Sequence, residues 1–210
     1  PCDGDGWQIT ILTLPKGEAK AEYRRTLENR IEVMLDVAVA QFAPTCFNLE
    51  ELIQILGVGL SEISDKLPLE VATADFTHLC LPMRDLDAMG GLQPEFTALA
   101  KFCVSNGLST VAAFSTEVVD GTCNLHVRDF CPAVGVDESA AAGTTNAALS
   151  VYLLRNGRVQ PDDDGNVQVR AEQGIELGRP SNVTTRIKIK DEHITRLQVG
   201  GVASQIIEGV

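Results

Sequence analysis

The chain has 210 residues, 44% apolar and 22% charged, the balance of a soluble globular protein built as one large domain or two small ones. Its 17 Lys and Arg stand against 29 Asp and Glu, a formal net charge of -12. Such a surface repels phosphate backbones and anionic lipid, which argues against nucleic acid and membrane surfaces as partners. No apolar run reaches the roughly 18 residues of a spanning helix.

Six cysteines (Cys2, Cys46, Cys80, Cys103, Cys123 and Cys131) follow no CxxC or regular spacing, and most have apolar neighbours. They read as reduced thiols packed in the core of a cytoplasmic protein. His78, His126 and His193 lie far apart, and none pairs with a cysteine at zinc-like spacing, so no metal site is expected. Asn182-Val183-Thr184 is a glycosylation sequon that chance explains, because no secretory signal is present. The chain opens on Pro1-Cys2-Asp3-Gly4-Asp5-Gly6, which reads as a loop and as the start of a processed, truncated or trimmed chain.

A β-rich stretch follows. Trp7–Leu14 is a strand, Pro15-Lys16-Gly17 a turn, and Ala19–Leu27 and Ile31–Val39 complete a meander around a turn at Glu28-Asn29-Arg30. The period then changes. Asn48 is placed to cap a helix carrying Leu49, Leu52, Ile53 and Leu56, stopped by Gly57. A short helix is expected over Leu60–Lys66, strands over Leu69–Ala72 and Thr77–Pro82, a helix over Glu95–Val104, and strands over Ser109–Phe114 and Asn124–Phe130. The segment Gly143–Asn156 is apolar nearly all round, as in a helix buried on every side. The turn Asp162-Asp163-Asp164-Gly165 reads as solvated surface. Strands follow at Val167–Ala171, Val183–Ile189, Ile194–Val199 and Ala203–Ile207. Strands on both sides of one apolar helix imply an α+β sheet wrapped around it, and no period of about 20 to 50 residues points to a solenoid.

The chemistry is expected where that helix begins. The run Val136-Asp137-Glu138-Ser139-Ala140-Ala141-Ala142-Gly143-Thr144-Thr145-Asn146 brings carboxylates, hydroxyls and a glycine to a helix N-terminus. Unpaired N–H groups and the helix dipole favour an anion there, and small residues let it approach the backbone. The same residues also fit a plain cap by Thr144 or Thr145, with Glu138 complementing the dipole.

Three blocks in order resemble the PhzF-like phenazine biosynthesis family. They are Phe130-Cys131-Pro132-Ala133-Val134-Gly135 leading into Glu138-Ser139-Ala140-Ala141-Ala142-Gly143-Thr144, then Glu172-Gln173-Gly174 with Gly178-Arg179-Pro180-Ser181, then Val199-Gly200-Gly201-Val202-Ala203. The resemblance implies a diaminopimelate-epimerase-like fold, two lobes that each wrap a barrel-like sheet around a central helix, with the site between them. Residues 1–47 would be the last strands of an incomplete first lobe. Residues 48–210 would be the second lobe, its central helix at 143–156 and its final strand returning to the first.

The resemblance also implies a cofactor-independent isomerase that moves a proton on a small carboxylated metabolite. Glu138 would be the catalytic carboxylate, and Ser139, Gly143, Thr144 and Thr145 would bind substrate. His126 either faces the cleft or packs, and Arg179 would be an ion-pair residue shaping the motif loop. The family's Asp is Ser139 here, and the family's acidic first-lobe motifs are not in this chain. A non-catalytic binding or assembly module is therefore the alternative. Either reading implies a homo-oligomer or a partner chain carrying the first lobe.

Overall fold

The computed structural model describes residues 6–14 and 17–203. The Pro1–Asp5 start, Pro15-Lys16 of the first turn and the expected strand beyond Ala203 lie outside the described residues.

The opening meander is β1 (Gln8–Leu14), β2 (Gly17–Arg25) and β3 (Ile31–Asp36), antiparallel throughout. Its second turn works because Asn29 accepts a left-handed φ of 63°, which asparagine tolerates better than most residues. Arg25 donates to the Asn29 side-chain oxygen at 2.9 Å. The strand expected to reach Val39 stops at Asp36. A short strand that the sequence did not signal follows, β4 (Gln41–Pro44). It is an edge strand ending in proline, too brief to show alternation.

Helix α1 (Leu49–Leu56) begins where Asn48 accepts a hydrogen bond from the Glu50 N–H, and it ends at Gly57 with φ 72°. The helix expected over Leu60–Lys66 is a single 3-10 turn, Leu60–Glu62. The chain instead turns extended at Ile63, which pairs with Met83. Next come β5 (Glu70–Thr73), β6 (Thr77–Pro82) and the unanticipated helix α2 (Leu86–Gly91). Asp85 caps α2 by accepting from the Ala88 N–H at 2.8 Å; its two glycines hide it from a propensity reading. Glu95 caps α3 (Phe96–Ser105).

The chain continues through β7 (Thr110–Ser115), β8 (Leu125–Cys131), β9 (Val136–Ser139), α4 (Gly143–Arg155), β10 (Asn166–Gln173), β11 (Ser181–Lys190) and β12 (His193–Ala203). β9 was not expected. The strand expected over Ile194–Val199 runs longer, unbroken from His193 to Ala203.

Twelve strands among the described residues form one sheet, in the order β1-β2-β3-β12-β11-β10-β8-β7-β6-β5-β4, with β9 added beside β8. The β6–β7 and β8–β10 pairs are parallel and the rest antiparallel. The sheet curls around α4. Phe114, Leu125, Val127, Val169, Val183 and Leu197 close on it from five strands, so its apolar circumference is satisfied as expected. The Tyr152 hydroxyl donates to the Pro68 carbonyl at 2.5 Å, and its ring meets Phe114 edge-on at 5.5 Å.

A second core lies on the outer side of β6, β7 and β8, where Leu79, Leu81, Val111 and Phe130 pack against α1, α2 and α3. This outer helical layer explains why β7 is buried at every position: a strand covered on both faces carries a continuous apolar run. β12 joins the meander to the remainder by pairing with β11 on one side and β3 on the other. Gly200 is required at that junction, because a Cβ there would collide with the Val33 carbonyl oxygen.

Candidate functional site

Helix α4 starts without a side-chain cap. Its N-cap is Ala142, in extended conformation, and neither Thr144 nor Thr145 performs the capping expected of them. Gln173 organises the approach to the helix instead, without accepting from its first N–H groups. Its side-chain oxygen accepts from the Ala142 N–H at 3.2 Å and from the Asn146 amide at 2.7 Å, and its amide donates to the Ser139 carbonyl at 2.7 Å. One buried glutamine from β10 thus ties the 139–142 loop to the first turn of α4. Among the described residues, the N–H groups of Gly143, Thr144 and Thr145 have no protein acceptor, the usual state of a helix start.

Two clefts flank this start. One, of about 450 Å³, is lined by Val33, Leu35, Ala141, Gly143, Val199 and Gly200. The other, of about 670 Å³, is lined by Lys20, Asp36, Val37, Asp75, Phe76 and Thr144. β3 contributes to both, so the N-terminal meander forms a wall opposite the helix start. Gly143 packs on Val199, where a Cβ would come within 3.3 Å of a methyl carbon. Thr145 is buried at 1% exposure and faces inward, away from either cleft.

Ser139 and Glu138 separate. Ser139 pairs with Asp129 across the β8–β9 ladder, and that face carries Leu125 and Val127 against α4. Glu138 pairs with Phe130, whose face belongs to the outer core; successive strand residues point to opposite faces. The carboxylate of Glu138 is gripped by Arg128, with Nε to Oε1 at 2.9 Å and Nη2 to Oε2 at 2.8 Å. Arg128 in turn donates to the carbonyls of Met89 and Leu92, each at 3.0 Å, and lies over the Phe130 ring. The proton-moving or dipole-complementing role expected of Glu138 at the helix start therefore finds no support in the geometry. The carboxylate is on the other side of the strand pair with both oxygens engaged.

His126 is buried and bridges two carboxylates. Its Nδ1 lies 2.7 Å from Glu172 and its Nε2 2.7 Å from Glu176. Burial pulls its pKa down, but the hydrogen bonds to Glu176 and Glu172 outweigh that and leave it raised. Glu176 is also burdened by burial, yet the bond from His126 holds it below the usual carboxylate range. Glu172 further accepts from the Val119 and Asp120 N–H groups, so the cluster pins a surface loop. Arg179 forms no ion pair among the described residues. Its backbone N–H closes the motif loop on the Gly174 carbonyl at 2.9 Å, correcting the expectation for its side chain.

Sequence reasoning missed Gln173 as the organiser of the helix start, although it lies in the middle of the Glu-Gln-Gly block. It also missed a buried set beneath that start, His78, Thr110 and Asp129, which spacing gives no means to group. Among the described residues, no cluster of His, Cys, Asp or Glu is arranged to hold a metal ion, and no helix is long and apolar enough to cross a membrane.

Comparison with known proteins gives the fold and the family. A structure titled the phenazine biosynthesis protein of Bacillus anthracis, PhzF family, superposes with a TM-score of 0.78 at 17% identity, over 92% of this chain and 64% of that one. A probable proline racemase from Agrobacterium radiobacter superposes at 0.55 and 11% identity, over 98% and 62%. The fold is thus the epimerase-like α+β class. An uncharacterized isomerase of Deinococcus radiodurans is 29% identical over 160 residues, 76% of this chain and 51% of that protein. The trans-2,3-dihydro-3-hydroxyanthranilate isomerase of Pseudomonas fluorescens is 28% identical over 151 residues, 72% and 49%. The chain spans about half the length of these curated relatives. A family model described as "Phenazine biosynthesis-like protein" matches residues 8–209, and the chain belongs to that family, PhzC-PhzF.

Proposed function

We propose that this chain supplies one wall of the site of a cofactor-independent isomerase that moves a proton on a small carboxylated metabolite. The observation that carries the reading is the start of α4, where the N–H groups of Gly143, Thr144 and Thr145 have no acceptor among the described residues and a cleft lies on either side. A helix N-terminus of this kind holds a carboxylate through backbone donors and the helix dipole. The Thr144 hydroxyl adds a donor at the edge of the larger cleft. Isomerases among the relatives support the reaction class.

In the same reading residues 1–47 close a first lobe and residues 48–210 form the second. The assembly is a cytoplasmic homo-oligomer, or this chain with a partner chain carrying the first lobe.

A second reading, a binding or assembly module without turnover, draws on Ser139. The side chain there is a hydroxyl, and the adjacent carboxylate, Glu138, is held by Arg128 on the opposite face.

Deuterium wash-in separates the two. The protein is incubated in D2O with trans-2,3-dihydro-3-hydroxyanthranilate and a panel of small carboxylates, and carbon-bound deuterium is followed by NMR. Wash-in that drops at least about tenfold in Thr144→Val supports the isomerase, since one lost charge-assisted hydrogen bond is worth about 1.5–3 kcal/mol. Wash-in unaffected by that substitution removes the proposed site, and carboxylate binding without wash-in supports the module.

A further inference from the structure

Behind the start of α4 four polar side chains are buried together: His78 of β6, Thr110 of β7, Asp129 of β8 and Thr145 of α4. They meet because β6, β7 and β8 are neighbours and His78 pairs directly with Thr110. The Nδ1 of His78 lies 2.9 Å from the Thr110 hydroxyl oxygen and 3.3 Å from that of Thr145. The same two hydroxyls reach the carboxyl of Asp129. Among the described residues, two atoms of the set have no partner, His78 Nε2 and Asp129 Oδ1.

One proton arrangement lets both shared hydroxyls serve Asp129. If His78 carries its proton on Nδ1, it donates to the threonine oxygens, and their hydrogens are free to donate to Asp129. A second proton, on Nε2, would bury an N–H with no acceptor, which is costly. Burial accordingly lowers the His78 pKa to about 4. Burial raises that of Asp129 to about 6, against the two threonine hydrogen bonds that lower it. A proton arriving at Oδ1 converts the carboxylate to the acid without breaking an existing bond.

The groups facing Asp129 are few. They are Thr110 from β7, Thr145 from α4, His78 from β6 and, from β9, Ser139, which pairs with Asp129, while the charge of Glu138 acts from the opposite face of β9, where Arg128 answers it. Along β8 the Cys131 thiol is pushed up to about 12, chiefly by burial, and stays neutral.

We propose that His78, Thr110, Asp129 and Thr145 form one buried proton-holding unit behind the candidate site, in which Asp129 takes up and releases the proton. In it His78, a neutral imidazole with its hydrogen on Nδ1, keeps both hydroxyls turned toward that carboxylate. The link to catalysis rests on the isomerase reading; the unit itself does not. Asp129 is a positioning and proton-storing group, reached from the helix start through Thr145.

The test is NMR on the full chain labelled with 13C and 15N, from neutral to mildly acidic pH. The expected result is an Asp129 carboxyl carbon that titrates near 6, while His78 keeps one protonated and one bare nitrogen throughout. Thr145→Val removes a donor to the carboxylate and is expected to raise the Asp129 midpoint by about one pH unit. Thr145→Ser, which keeps the hydroxyl, leaves it in place. An Asp129 midpoint in the ordinary carboxylate range, a doubly protonated His78, or a midpoint indifferent to Thr145→Val overturns the proposal. Should Thr145→Val not fold, the wild-type titration and Thr145→Ser still decide it. Deuterium wash-in read alongside tells the two failures apart: intact titrations without wash-in support the unit and count against the isomerase.

Discussion

Gly174 lies so close behind Ala140 that a Cβ on it would stand 2.8 Å from the Ala140 carbonyl oxygen and 2.5 Å from that of Arg179. Its φ of 78° is also one that side chains avoid. The loop after β10 is thereby pressed against the loop that leads into α4, the two segments Gln173 also stitches together. Gly174→Ala is expected to cost at least about 2 kcal/mol, from strain and displaced backbone combined. Urea unfolding measures the loss. Hydrogen exchange should show it concentrated at residues 139–142, and a variant as stable as the parent would contradict the packing.

Arg128 and Glu138 are both nearly buried and joined by two hydrogen bonds. Removing one partner leaves an uncompensated charge, so Arg128→Ala is expected to destabilise by about 3–5 kcal/mol. Adding Glu138→Ala to that variant should recover part of the loss, a coupling of about 2 kcal/mol in a double-mutant cycle. Additive losses would show that the pair is not a unit.

The His126 cluster predicts a pH dependence with a definite sign. A histidine whose folded pKa is raised contributes stability that is complete below its unfolded value, near 6.5, and is lost as pH climbs through the folded value. Glu176, lowered in the folded state, contributes above its unfolded value near 4.5 and loses that as pH falls. Thermal melts should therefore show a loss on the alkaline side that His126→Gln lacks. The same slope in both proteins would remove His126 as its source.

Thiol accessibility offers a further check. Of the five cysteines among the described residues, only Cys46 is exposed. Burial pushes the thiols of Cys103 and Cys131 up to about 11 and about 12, and Cys80 further still. Thiolate, not thiol, reacts. In the native state a maleimide should label Cys46 well before these three, with peptide mass spectrometry as readout. Early labelling of Cys103 would mean that the outer core around α3 opens readily.

Legibility in the sequence followed local physics. Asn48 and Gly57 bracket α1 as their chemistry dictates, Thr77–Pro82 is the strand that Leu79-Cys80-Leu81 announces, and the all-round apolarity of α4 located the central helix. Elements shorter than a repeat of their own pattern escaped: β4, β9 and α2. The site was half legible. The helix start was found because small residues and hydroxyls cluster there in sequence. Glu138 stands apart from that start because one residue's difference along β9 decides which face a carboxylate serves. Gln173, Asp129 and His78 converge on that start from three strands, and only the order of the sheet brings them there.

The pairing of β3 with β12, Gln198 opposite Asp36 and Ala203 opposite Ile31, joins segments separated by nearly the whole described chain. During synthesis the meander emerges well before its partner strand. Until β12 is made, Val33 and Leu35 have no neighbour on that side, and the half-apolar face they share waits uncovered. Contacts of such long sequence separation form late and slowly. The wall opposite the helix start is therefore expected to assemble late, and the interval before it closes is when a chaperone has most reason to hold the chain.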